Sequence, residues 1–116
     1  MSKLLYAKTH EWIQVGGNKG KIGISEFAAK AMGDIVFVEL PSVGAKVVAG
    51  KALCNVESVK AVSECFSPAS GTIVAVNTEL EDNPGKINEA ALDAWIVEIE
   101  IDGLGDGLSE TETIEE

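Results

Sequence analysis

The sequence predicts a mainly β domain built as a sandwich or barrel, and three observations carry that prediction. β-Branched and aromatic residues gather in short segments suited to pleated, half-buried surfaces. Gly, Pro, Asn and Ser punctuate those segments at short intervals. Only one stretch has both the start and the stop signals of a helix longer than a single turn. An α/β sheet would need long helical patterns between its strands, and the chain lacks them.

Taken in order, residues 6–15 read as an N-terminal strand region. Residues 16–20 form a turn, because Gly and Asn tolerate the positive φ it needs, and residues 21–24 return as a second strand. Ser25 caps a helix over residues 27–32, with Glu26 in the first turn suiting the helix dipole and Gly33 as the stop. Residues 34–40 form a strand that Pro41 ends. Strands follow at 45–48, 52–58, 61–67 and 72–76, with turns at 42–44, 49–50, 59–60 and 68–71. Residues 77–86 make a polar connection that turns at Asn83-Pro84-Gly85, and Ile87-Asn88 begins a short strand. Residues 94–101 end in an apolar and acidic alternation typical of a half-buried strand. Residues 1–102 thus form one domain, and residues 103–116 form a flexible acidic tail rich in Gly and Glu. The order strand, turn, strand, turn, strand occurs in 33–58 and again in 61–101, which suits a quasi-two-fold sandwich with a hairpin at one edge.

A chain of 116 residues, 46% of them hydrophobic, supports a modest single core, and the scarcity of aromatics makes Val, Ile, Leu and Ala its main material. Trp12 and Phe37 are assigned to that core. The net charge is −10, and the chain contains no arginine. That excludes nucleic acid, whose binding rests on Lys and Arg at phosphates, and anionic membrane surfaces; it favours basic protein partners. The N-terminal residues lack the apolar core of a signal peptide, and no apolar run approaches transmembrane length, so the expected location is the cytoplasm. A metal site is excluded, because Cys54, Cys65 and His10 do not show ligand spacing. Without a Ser-His-Asp or Cys-His set, hydrolase and transferase chemistry have no residues to carry them.

The most informative residue is Lys60, in Glu57-Ser58-Val59-Lys60-Ala61 between two strands. If Val59-Lys60 is a two-residue loop, positions summing to 119 face each other. Ser58 then opposes Ala61, and Cys54 opposes Cys65 at the wider ladder spacing. In a reducing compartment these are two small buried thiols. A tip lysine with small or apolar neighbours is presented to other proteins, which is what covalent attachment requires. Most turn lysines are merely solvated, so the residues alone favour that reading and do not decide for attachment.

Several motifs in order do decide it. They are Tyr6 with His10-Glu11-Trp12; Gly23-Ile24-Ser25-Glu26-Phe27-Ala28; Gly33 through Pro41; Glu57-Ser58-Val59-Lys60-Ala61; Ser67-Pro68 with Ser70-Gly71; Val76-Asn77; and Trp95. Together they resemble the H-protein family of the glycine cleavage system. Glu-Ser-Val-Lys-Ala fits that family better than the Asp-Lys-Ala of other lipoyl domains or the Met-Lys-Met of biotin carriers. The resemblance implies a lipoyl/biotinyl-carrier-like barrel-sandwich hybrid with lipoate joined to Lys60 as an amide.

It implies further that the chain is a monomeric carrier and not an enzyme. Its partners would be glycine decarboxylase, aminomethyltransferase, dihydrolipoamide dehydrogenase and a lipoylating enzyme. An aminomethyl group would travel on the arm from the first to the second, and the third would reoxidise the carrier. Glu57 and Gly71 are the residues expected to guide lipoylation, although Gly71 reads equally as a turn residue. Glu11 and Glu64 are expected in a cleft that shelters the loaded arm by charge-assisted hydrogen bonds; Glu11, an acid beside a strand end, reads more simply as solvated, and Glu64 reads equally either way. His10, beside a Trp, reads as structural.

The chain departs from the family pattern at several points. Ala31 stands where a cleft His is frequent, the Pro-Tyr and Gly before the last Trp are absent, Glu98 and Glu100 replace lysines, and an acidic tail replaces a long C-terminal helix. Two alternatives therefore stand beside the main reading. One is an H-like carrier that relays lipoyl groups or serves another dehydrogenase. The other is an unmodified interaction domain.

Overall fold

The computed structural model describes residues 2–105 and Leu108. It comprises nine strands and three short helices among the described residues: β1 (Ser2–Tyr6), β2 (Glu11–Gly16), β3 (Lys19–Ile24), α1 (Glu26–Met32), β4 (Ile35–Val38), β5 (Lys46–Val47), β6 (Ala52–Ser58), β7 (Val62–Phe66), β8 (Ala69–Val76), α2 (Glu79–Asp82), α3 (Lys86–Glu89) and β9 (Val97–Leu104). All strand pairs are antiparallel. They form a six-stranded sheet in the order β1-β2-β3-β9-β8-β5 and a three-stranded sheet in the order β4-β6-β7. The fold is mainly β and the two sheets do not close into a barrel.

The core between them is aliphatic, as the composition requires. Ile13, Ile22, Ile73, Val97 and Ile99 come from the larger sheet, and Val38, Leu53 and Val56 from the smaller. In β9, Val97 and Ile99 are buried while Glu100 is exposed, so the acidic alternation points out. Trp12 is the one large aromatic in the core. It is 1% exposed, and its indole N–H donates to the Ala91 carbonyl at 3.2 Å, which ties β2 to the segment before β9.

The helix signals hold. The Ser25 hydroxyl accepts from the Ala28 N–H at 3.1 Å, and Gly33 ends α1 at φ 79°. So does the hairpin register: Cys54 pairs with Cys65, Asn55 with Glu64, Val56 with Ser63 and Glu57 with Val62, each pair summing to 119.

Five expectations fail, each for a tertiary reason. Residues 6–15 are not one strand, because β1 ends at Tyr6 and folds back on β2 through a turn. In that turn His10 adopts φ 72°, and its carbonyl accepts from the Ser25 N–H at 2.8 Å. The polar connection contains the single turn α2, and Ile87-Asn88 lies in α3 rather than a strand, because Ile87 is drawn into the core on a helical face. Phe37 is not a core residue. It is 48% exposed, on the outer face of β4 opposite Glu57. The expected tail begins later than residue 103, since Gly103 and Leu104 pair with Ser70 and Ala69 within β9; apart from Gly105 and Leu108 the remainder of that tail lies outside the described residues.

Gly71 is the fifth. It lies inside β8, paired with both Val47 and Ile101. A Cβ there would stand 2.1 Å from the Glu100 carbonyl oxygen, so close backbone approach and not a turn demands glycine. Gly71→Ala is expected to destabilise the fold by roughly 3 kcal/mol, because the obstruction is backbone and cannot rotate away. Gly16→Ala, where a Cβ meets nothing within 4 Å, is expected to change stability by less than about 0.5 kcal/mol. Equal urea midpoints for the two variants would contradict the packing argument.

Candidate functional site

The site grows from the β6–β7 hairpin. Ser58 closes its tip: the hydroxyl accepts from the N–H groups of Lys60 and Ala61 at 3.2 Å each, and the Ser58 N–H donates to the Ala61 carbonyl at 2.8 Å. Val59 and Lys60 project beyond it and are exposed. The tip is also held from the side, where the Val59 N–H donates to the Asp34 carbonyl at 3.0 Å and Ile35 pairs with Ser58. The Lys60 stem passes over Gly33, and a Cβ on Gly33 would stand 3.4 Å from Lys60 Cε. Lys60 is therefore a solvent-facing amine on a braced turn.

Its surroundings are apolar and acidic. Phe37, Glu57 and Val62 lie in one row across the outer face of the small sheet, with Phe37 and Val62 at 48% and 61% exposure. Val36 and Val59, the sequence neighbours of Phe37 and Lys60, are exposed as well. A β-strand pattern by itself marked Phe37 as buried. The bulge between Ile35 and Phe37 turns it outward instead.

Beside the hairpin, between α1 and β7, lies a pocket of about 220 Å³. Glu11 and Glu64 both line it, together with Thr9, His10, Phe27 and Met32. The two acids proposed for one cleft thus meet in one cleft. Ala31 lines it too, so the missing His leaves that wall apolar. Glu64 is exposed on the outermost strand of its sheet, opposite Asn55.

Glu11 is not a solvated strand-end acid. It is 3% exposed, accepts from the Phe66 N–H at 3.1 Å, and accepts a short hydrogen bond from the Thr9 hydroxyl. Burial pushes its carboxyl above the ordinary range, and the bonds from Thr9 and Phe66 oppose that push. A cation entering the pocket would favour the charged form. Thr9 was not singled out by sequence reasoning, since its contact depends on the turn at His10.

Cys54 and Cys65 are free and buried side by side. Hydrogen bonding to Cys54, then burial, holds the Cys65 thiol well above the ordinary thiol range, and the Glu11 charge adds to the effect. Gly71 belongs to the other sheet and is not among the residues of this pocket or tip.

A small β sandwich that displays one braced lysine beside an acidic pocket defines a carrier domain, a protein that holds a covalent group for others to act on. Comparison with known proteins identifies which. The family model for the glycine cleavage H-protein matches residues 4–115. The chain is 51% identical over 105 residues to a glycine cleavage system H protein of Anoxybacillus flavithermus, spanning 90% of this chain and 83% of that one. It is 50% identical over 108 residues to a probable glycine cleavage system H protein of Pyrococcus abyssi, spanning 92% and 81%. A crystal structure of a glycine cleavage system H protein from Mycobacterium marinum superposes with a TM-score of 0.83 at 38% identity, covering 91% of this chain and 88% of that one. The chain belongs to the glycine cleavage H-protein family. It is a lipoyl carrier component of the glycine cleavage system and not itself catalytic. No helix among the described residues is long and apolar enough to cross a membrane.

The buried acid predicts a pH signature. Because the folded carboxyl of Glu11 is raised, the native state holds its proton to higher pH than the unfolded chain does. Its contribution to stability is full below the unfolded value near 4.5 and is lost as pH rises through the folded value. Glu11→Gln removes that titration, so wild type should lose stability relative to the variant over the range just above pH 4.5. Parallel stability curves across that range would contradict it.

Proposed function

We propose that Lys60 is the lipoate attachment site, and that the chain shuttles an aminomethyl group between glycine decarboxylase and aminomethyltransferase before dihydrolipoamide dehydrogenase reoxidises it. The single observation that carries this is the placement of Lys60 on a doubly braced hairpin tip, on the hairpin whose second strand lines the acidic pocket through Ser63, Glu64 and Cys65. When bound, the lipoyl group supplies a redox-active dithiol on a long arm. Everything else falls to residues of the chain. Tethering raises the local concentration of the carried group at each partner.

Glu57, in the centre of the exposed row with Phe37 and Val62, is the recognition feature for the lipoylating enzyme. The packing demand on Gly71 accounts for that residue without a role in recognition. In the pocket, Glu11 and Glu64 hold an ammonium by charge-assisted hydrogen bonds. The apolar wall of Phe27 and Met32 limits water there. The chain acts as a monomer, and its acidic surface suits basic patches on the partner enzymes.

Intact mass and peptide mapping of protein from its native cells should find a lipoyl adduct on Lys60. An unmodified Lys60, in cells that lipoylate other carriers, would overturn the assignment. Lys60→Arg is expected to abolish carrier function while shifting stability by less than about 0.5 kcal/mol, because the side chain is exposed. Glu64→Ala should speed release of the loaded aminomethyl group by roughly two- to fivefold, the strength of one exposed ionic contact. An unchanged release rate would remove Glu64 from the pocket mechanism.

A further inference from the structure

The seat under Lys60 is held from behind by a side chain that the carrier reading leaves out. Asn88, in α3, directs its whole amide at residues 33–35. Its Oδ1 accepts from the Ile35 N–H at 2.8 Å. Its Nδ2 donates to the Gly33 carbonyl at 2.8 Å and reaches the Ala29 carbonyl at 3.5 Å. The opposite amide orientation would set donor against donor at Ile35 and acceptor against two carbonyls, so the network itself selects this one.

The segment so gripped is the one on which the hairpin tip rests. Asp34 accepts from Val59, Ile35 pairs with Ser58, and Gly33 carries the Lys60 stem. The grip falls on either side of Asp34, the residue whose carbonyl holds the tip. No other side-chain type meets the demand equally. Aspartate has the acceptor but no donor, and would face two carbonyls with a charge. Glutamine is a methylene too long, and serine lacks the paired acceptor and donor geometry.

We infer that Asn88 is the positioning residue for Lys60: it fixes the 33–35 seat and through it the orientation in which the lysine is offered to the enzyme that modifies it. This rests on the carrier reading for the identity of that enzyme, but the brace itself does not.

The test uses the full chain as wild type, Asn88→Ala and Asn88→Asp. The first readout is amide hydrogen exchange at Ile35 and Val59, with Ile73 and Ile99 as core references. The second is kcat/KM for transfer of lipoate to the protein by a purified lipoate–protein ligase with ATP. In Asn88→Ala, exchange at Val59 should rise roughly fivefold, the effect of one lost hydrogen bond, with the core references unchanged. Ligase kcat/KM should fall by a similar factor, with KM for lipoate unaltered. Asn88→Asp keeps the shape and the Ile35 bond but loses the bond to Gly33, so it should show the same pattern if Asn88→Ala fails to fold.

Exchange at Val59 that stays at the wild-type rate, or that rises only in step with Ile99, overturns the inference. So does a folded variant modified as fast as wild type. A wild-type chain that the ligase leaves untouched overturns the carrier reading instead, and the exchange data then still decide whether Asn88 braces the tip.

Discussion

The register of β6 against β7 is the constraint on which the rest of the site depends. A two-residue loop at Val59-Lys60 leaves no slack, so each residue of one strand has one partner in the other until the irregularity near Ala52. That single register puts Lys60 at the apex, Val56 and the two cysteines inward, and Glu57 and Glu64 in outward rows. A slip by one residue would reverse every one of these assignments. Ser58 is the local device that holds it, since one hydroxyl serves two N–H groups inside the turn. The seat at residues 33–35 is the non-local one.

What could be read from the sequence follows the same division between local and distant causes. The α1 boundaries were legible because Ser25 and Gly33 act on their own helix. The hairpin register was legible because loop length determines it. Phe37 and Gly71 were misread, and the burial of Glu11 was missed, for the opposite reason. A bulge turns Phe37 outward, the backbone of another strand crowds Gly71, and the turn at His10 swings Glu11 under the Phe66 amide. None of these has a signature within a few residues of the position concerned. Asn88 was read as the start of a strand because its value lies in three backbone groups more than fifty positions earlier in the chain, at Ala29, Gly33 and Ile35. Thr9 and Asn88 share this property: ordinary polar residues whose roles exist only once the chain has folded.

The pocket joins two opposed electrostatic demands. To serve the proposed ammonium its acid must be reachable by a cation, yet it is taken largely out of water. Burial raises the cost of the charge on Glu11, while the Phe66 amide and the Thr9 hydroxyl return part of it. The balance leaves a carboxyl that gains from meeting an ammonium more than an exposed one would. Glu64, out in solvent on the edge strand, has no such gain and offers reach in its place.

The paired thiols behind that pocket bear on how a carrier of sulfur chemistry survives its own cargo. Cys65 forms part of the pocket wall, so a disulfide on a folded-back arm would find a thiol close by. Thiol–disulfide exchange proceeds through the thiolate, and its rate falls with the thiolate fraction. Hydrogen bonding to Cys54, burial and the neighbouring Glu11 charge all keep Cys65 protonated. The same acid proposed to receive a cation thus protects the framework thiols from oxidation by the disulfide of the arm.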